Sequence, residues 1–567
     1  MAHGDWRRSP LVVVCLVVGC STSGGTSITL DSIPARSTTS TTSAPEEPRS
    51  STSVRGAPDQ DAEDVPEESI VIDLDAAPRP FDPRLLGTNV PAWLGPERLA
   101  DPEFQRLTVE LGTTVVRMPG GSWSNGYDWL ACENGDADGC YWTWAARPSD
   151  FIDFMEATGT EGMWTLSGNT TAEEAAAAVA FFNGDVGDLR PIGVDVRGRD
   201  WRSVGDWAAL RASHGHPEPT GIRLWEFGNE MYGAKPSAGP ECASFGWEDV
   251  WTCDGGEYVE GVADHDGYLE IRDAMLHVDP SIEVGSVGVA SLESWGNWGT
   301  EVIEAAGREM DFYVIHQYAF DGAPSIGHAL ETPRATWPIV MDELRSSFLG
   351  VDPATDVEFA VTEYNLVAYQ EADQDQLMTR AVGMLFTAET IGQLALSGVS
   401  MANHWNLANG RADNGTDYGM IDSETYQRSP QYYGMAAWRD FGQEILSLSI
   451  GSQLAEISAY AGRAGDGTIT LIVLNGTDSP ITADVAIGAA GSEYRVAVDV
   501  VSAPSLDSTR VSVNAASEPS LEPGRSTPME VGTVTGGLEG RFEPVSITTM
   551  RFEPKSGLSV RPSGDDG

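Results

Sequence analysis

Between Leu85 and Trp405 the chain alternates two textures: short, nearly continuous apolar runs of strand length, and longer segments with helical spacing. Apolar runs without polar alternation suit strands buried on both faces, as in a parallel sheet whose crossovers are helices. The runs are Leu85–Val90, Thr114–Met118, Gly162–Leu166, Gly221–Phe227, Ile282–Val287, Phe312–Tyr318, Glu358–Tyr364 and Val399–Trp405. Eight such units over this length predict an α/β chain closed into a (β/α)8 barrel. Ala172 to Phe182 reads as one of the helices, and Asp373 to Leu396 as a long one leading into the eighth strand. From Leu446 the period changes to two, as in Thr468–Leu474 and Tyr494–Val501, with Gly, Asp and Pro turns between. That pattern predicts a C-terminal antiparallel β-sandwich of about 110 residues, to which Ser69–Asp75 can contribute a strand.

The one apolar run outside this body is Leu11 to Val18, behind Arg7 and Arg8 and closed by Gly19-Cys20. It is too short for a permanent membrane span and reads as an export signal. Val17-Val18-Gly19-Cys20 resembles the bacterial lipobox, which implies lipidation at Cys20 and attachment at the outer face of the cell membrane or the cell surface. Ser21 to Pro66 is rich in Ser, Thr and Pro and has few large apolar residues, so it is expected to be a disordered tether. The expected organisation is therefore signal 1–20, tether 21–66, barrel 67–442, sandwich 443–555 and a flexible tail 556–567.

Composition narrows the partners. Hydrophobic residues make up 41% of the 567, which excludes wholesale disorder. Against 34 Lys+Arg stand 85 Asp+Glu, a net charge of −51. Residues 1–66 hold 8 acids and 5 bases, a net of −3, so −48 falls on the remainder. Nucleic acid and anionic lipid surfaces both require cationic faces, so the expected membrane contact is the N-terminal anchor alone.

In a barrel the chemistry sits where strands emerge at their C-terminal ends. The fourth run ends Phe227-Gly-Asn229-Glu230 and the seventh ends Thr362-Glu363-Tyr364-Asn365. Two carboxylates at such ends suit acid-catalysed opening of an acetal, one donating a proton to the leaving oxygen and the other attacking the anomeric carbon. These motifs, Trp225-Glu-Phe-Gly-Asn-Glu-Met-Tyr-Gly and Val361-Thr-Glu-Tyr-Asn, resemble the retaining glycoside hydrolases of clan A, most closely the family 51 α-L-arabinofuranosidases. The resemblance covers roughly Leu85 to Trp438 and includes Arg117-Met-Pro-Gly-Gly after the second run. It implies that Glu230 is the acid/base, Glu363 the nucleophile, Asn229 a ligand of the sugar 2-hydroxyl, and Arg117 a brace for the carboxylates.

The implied activity is hydrolysis of arabinose-containing polysaccharides or oligosaccharides. The alternatives are a β-xylosidase, a β-glucuronidase, an endo-glucanase, an endo-arabinanase, or a surface lipoprotein that binds glycans without cleaving them. Retention predicts carboxylates about 5 Å apart, and acid catalysis predicts a pKa for Glu230 raised above that of Glu363. Tyr318 and His316 end the sixth run, where Tyr318 can hydrogen-bond Glu363. Trp405, and less strongly Trp123 and Trp129, are candidates for stacking on sugar. Asn169 falls where the family usually has an Asn-Tyr-Gly-type sequence, and is a candidate substrate contact.

Removal of Cys15 with the signal and lipidation of Cys20 would leave four cysteines. Local closure favours Cys132–Cys140 and Cys242–Cys253 over zinc ligation, whose spacings these do not match. The segment Asn134-x-Asp136-x-Asp138-Gly139 resembles the opening of a calcium loop, but Ala145 stands where the closing Glu should fall. An acidic solvated turn is the expectation there, and no cofactor is called for.

Overall fold

The computed structural model describes residues 66–137, 139–488, 492–517 and 529–555. The export signal, the lipidation site and nearly all of the tether, like the tail, lie outside these residues. Eight parallel strands close a barrel: β1 Gly87–Asn89, β2 Val115–Met118, β3 Glu161–Leu166, β4 Leu224–Phe227, β5 Glu283–Val287, β6 Phe312–Phe320, β7 Glu358–Val367 and β8 Met401–His404, with β8 pairing back onto β1.

Side chains two apart on a strand face the same way, so the barrel interior is built in layers. Val115, Met163, Leu224, Val314, Ala360 and Met401 form one buried apolar cluster, which plugs the lower interior. Two residues further along the same strands lie Arg117, Thr165, Glu226, His316, Thr362 and Asn403. This upper layer is polar, and five of its six members bond within it: Arg117 and Thr165 both donate to Glu226, and His316 meets Thr362. The residues between the two layers, such as Val116, Trp164, Trp225, Ile315 and Val361, belong to the larger core shared with the helices. The pattern of period two thus stands a polar layer on an apolar floor beneath the mouth.

Strand β7 departs from regular pairing at the position that matters. Against β6 the register runs Ile315↔Val361 and then His316↔Glu363, and against β8 it runs Ala402↔Val361 and then His404↔Tyr364. On both sides one extra residue is accommodated near Thr362, a bulge of the kind that re-aims a side chain beside an active site. It sets Glu363 next to His316.

Several predicted elements begin later than their sequence suggested, β4 at Leu224 rather than Gly221 and β8 at Met401 rather than Val399 among them. Leu85 and Leu86 are in a 3-10 turn, Pro83–Leu86, so β1 starts only at Gly87. The helix leading into β8 is Ala381–Leu396, preceded by two 3-10 turns. Asp373 stops it from starting earlier, because its carboxylate accepts from the amides of Leu377 and Met378 and so holds a turn rather than a helix.

Ser69–Asp73 is a strand of the C-terminal sheet, where it pairs antiparallel with Glu444–Ile450 and parallel with Ile481–Ile487. Glu444–Ile450 pairs through its first residues with Ile457–Arg463 and through its last with Ser69–Asp73, which carries the sheet from one layer to the other. Ile70, Ile72, Leu471, Val485, Val496 and Phe552 lie in the core they enclose. The Tyr460 hydroxyl donates to Glu389 of the Ala381–Leu396 helix, fastening sandwich to barrel.

Candidate active site

The residues singled out at the ends of β4 and β7 converge. Glu363 leaves β7 with one oxygen accepting from Arg117 Nη1 at 2.9 Å and the other from the Tyr318 hydroxyl at 2.7 Å. Glu230 follows β4 and stands in the left-handed backbone region, φ +43°, at the head of the 3-10 turn Met231–Gly233. That conformation is strained for a residue with a side chain and is held by its surroundings. Its Oε1 is 3.0 Å from the Tyr232 hydroxyl and 3.0 Å from His316 Nδ1, and its Oε2 accepts from Trp247 Nε1 at 2.7 Å. His316 Nδ1 is also 3.7 Å from Glu363. Within this trio one oxygen of Glu230 and one of Glu363 lie within 4.8 Å of each other.

Arg117 organises the floor. It is completely buried and binds Glu226, Glu363, Asn89 and Asn229 through three nitrogens. Burial opposes its charge, but the two carboxylates outweigh that and hold its pKa above the ordinary value. It braces Glu363 directly and reaches Glu230 only through the neighbouring Asn229.

The expected order of the two glutamate pKa values is reversed in the free site. Burial alone would raise Glu230, but the hydrogen bond and charge of His316, with the Trp247 and Tyr232 donors, hold it below the ordinary value. Burial dominates for Glu363 and keeps it raised, against the charges of His316 and Arg117. His316, although buried, is raised by Glu363 and Glu230. The lowered Glu230 and the raised His316 thus favour each other's charged form across their 3.0 Å contact.

Other sequence candidates divide. The Asn229 amide is engaged at both ends, its Oδ1 by Arg117 and its Nδ2 by Glu248 at 3.0 Å. One hydrogen of that Nδ2 goes to Glu248, so a sugar contact would use the second. Trp405 is half-buried, packed against Gly121 and 5.9 Å from Trp93, while Trp123 stacks on Trp142 at 4.0 Å. Trp129 is not a platform: it is buried against Phe181 and Trp207 in the core. Asn169 donates to the carbonyl of Asp249 at 2.8 Å, so its amide holds a loop rather than facing the glutamates. Asn169 and Trp129 line a separate cavity of about 190 Å³. A larger cavity of about 590 Å³, lined by Arg411, Asp422, Tyr433 and Arg510, contains neither Glu230 nor Glu363.

Both disulfides are formed, Cys132–Cys140 and Cys242–Cys253. The second closes a loop carrying two site residues that sequence reasoning missed. Trp247 binds Glu230, and Glu248 is a buried third carboxylate accepting from Ser122, Asn125 and Asn229. Burial, with the nearby Glu230 charge, pushes Glu248 up to about 7. Glu226 was also missed, though an acidic residue within an apolar strand is itself a signal for a buried partner. Of the calcium-loop pattern, Asn134 turns back to the Leu130 carbonyl and Asp138 lies outside the described residues. The trio Glu230, His316 and Glu363 has the spacing of cation ligands, but Arg117 and His316 already set positive charge against its carboxylates.

No family model matches the chain. Among curated relatives it is 27% identical over 286 residues to an intracellular exo-α-(1→5)-L-arabinofuranosidase of Bifidobacterium longum, 45% of this chain and 44% of that one. It is 24% identical over 236 residues to one of Bacillus subtilis, 38% of each. The chain thus spans less than half the length of these relatives. Among solved structures, the family 51 α-L-arabinofuranosidase of Thermotoga petrophila superposes with a TM-score of 0.65 at 18% identity, covering 85% of this chain and 99% of that one. A family 44 xyloglucanase of Paenibacillus polymyxa superposes with a TM-score of 0.52 at 13% identity, covering 86% and 100%. The resemblance to family 51 and the barrel-plus-sandwich fold read from the sequence are borne out.

Proposed function

We propose that the chain is a retaining glycoside hydrolase, with α-L-arabinofuranosides as its substrates. The observation that carries the mechanism is that one oxygen of Glu230 and one of Glu363 lie within 4.8 Å of each other, which favours the shorter of the two carboxyl separations glycosidases use. Retention requires carboxyl groups about 5–5.5 Å apart, whereas inversion needs about 6.5–9.5 Å to admit a water between carboxylate and sugar. Glu363, steadied by Arg117 and Tyr318, attacks the anomeric carbon as the Glu230–His316 pair gives its proton to the departing glycosidic oxygen. The bond from carbon to that oxygen breaks and a glycosyl ester forms on Glu363. The same pair then takes a proton from water, whose oxygen displaces Glu363 and releases the sugar. The curated relatives, named for arabinofuranosides, support the choice of sugar.

A panel of aryl furanosides and pyranosides tests this, with wild type and Glu363→Ala side by side. Turnover is expected to be fastest on the α-L-arabinofuranoside and to fall at least about 10⁴-fold in the variant. No turnover of any glycoside by wild type, or undiminished turnover by Glu363→Ala, would refute the mechanism. Faster turnover of a xyloside, glucuronide or glucan would keep it and reassign the sugar.

We further propose export and anchoring through Cys20. Cys20→Ala should abolish incorporation of labelled fatty acid and release the protein from the membrane fraction, and unchanged labelling would exclude the anchor.

A further inference from the structure

The loop closed by Cys242–Cys253 does more at this site than border it. Its Trp247 and Glu248 amides both donate to the Gly233 carbonyl, and its Glu248 carbonyl accepts from Lys235, so the loop is laid onto the turn that follows Glu230. Two glycines make the approach possible. A Cβ at Gly246 would stand 2.0 Å from the Ala234 carbonyl oxygen, and one at Gly233 would stand 2.6 Å from the indole of Trp247. The indole rests on bare backbone one turn from the acid/base, with Trp295 edge-on at 5.2 Å and Tyr232 at 6.2 Å. It therefore has little freedom to turn, and its N–H points at Glu230 Oε2 from 2.7 Å. The next residue, Glu248, grips Asn229, the residue before Glu230, and binds Ser122 and Asn125 from the segment after β2.

We propose that Trp247 is a positioning residue for the acid/base, held in place by the disulfide-closed loop, and that its N–H fixes which oxygen of Glu230 faces the leaving group. The proposal rests on the hydrolase reading above. A Glu230 side chain free to rotate would offer the proton it shares with His316 from the wrong place part of the time, and small displacements of a catalytic group are costly. The cost falls on substrates that need the proton, because a dinitrophenolate leaves without one whereas a sugar alkoxide does not.

The test compares kcat/KM for two substrates of the glycone that wild type turns over: its 2,4-dinitrophenyl glycoside and an unactivated oligosaccharide. Trp247→Phe, which keeps the ring and removes the N–H, is expected to lower the oligosaccharide value about 10- to 100-fold more than the dinitrophenyl value. Should that variant fail to fold, Cys242→Ser/Cys253→Ser carries the test, since it leaves Trp247 in place and releases the loop, with the same shift expected. A variant that loses both substrates alike, or neither, overturns the proposal while leaving the hydrolase reading intact. A wild type inactive on both substrates overturns the hydrolase reading and this inference together.

Discussion

Arg117 is the residue on which the site depends most, because its one buried charge serves two buried carboxylates and two amides. Arg117→Met should destabilise the protein by about 3–5 kcal/mol, measurable by denaturant unfolding, since it leaves Glu226 and Glu363 buried without their cation. Tyr318→Phe removes a donor that stabilises ionised Glu363. The Glu363 pKa should rise, and as the nucleophile must be ionised, the acidic limb of kcat/KM should move to higher pH, with a rate loss of about 10- to 100-fold. Glu248 titrates in the opposite sense to a paired carboxylate. With a folded pKa of about 7 against an ordinary 4.5, the folded state keeps a proton that the unfolded chain gives up. Its contribution, on the order of 3 kcal/mol, is present below the ordinary value and is lost as pH rises to about 7. Glu248→Gln should flatten that slope in unfolding experiments. Glu230, Glu363, Tyr318 and His316 were legible because they stand at the ends of recognisable apolar runs, and Arg117 because its Arg-Met-Pro-Gly-Gly segment resembles that of family 51. Trp247 and Glu248 were not: they lie in an inserted loop without periodicity, and only the bracketing cysteines marked it.

At the scale of elements, the eight barrel strands could be read because each is a short apolar run buried on both faces. The bulge near Thr362 could not, since nothing in Val361-Thr-Glu-Tyr distinguishes one extra residue from continued pairing. The late start of the helix at Ala381 escaped for a similar reason: its apolar content runs on through turns that side-chain capping by Asp373 sets. Ser69–Asp73 is the element with the clearest consequence. It lies between two sandwich strands and contributes Ile70 and Ile72, both essentially without solvent contact. A chain beginning at Pro66 retains this strand. One beginning at Ala76 should lose at least about 4 kcal/mol, the cost of two buried isoleucines and their cavities, and show it as a lowered Tm. Equal Tm values for the two truncations would mean that the strand is dispensable.

For the whole molecule the dominant quantity is charge. A net of −48 lies beyond residue 66 after its 27 arginines and two lysines, Lys235 and Lys555, are counted. Self-repulsion of this size should be relieved by screening, so Tm should rise as sodium chloride increases from about 0.05 to 1 M, where the Debye length shortens to about 3 Å. The buried site, with its own pairing of Arg117 and His316 to carboxylates, should be much less sensitive, leaving kcat nearly constant over the same range. The central claim remains the division of labour between Glu230 and Glu363, and trapping tests it most directly. A dinitrophenyl 2-deoxy-2-fluoro glycoside of the accepted sugar should form a slowly released covalent adduct, seen by mass spectrometry as one added glycosyl unit on the peptide containing Glu363. An adduct on a different residue, or turnover of that reagent with no adduct at all, would contradict the account.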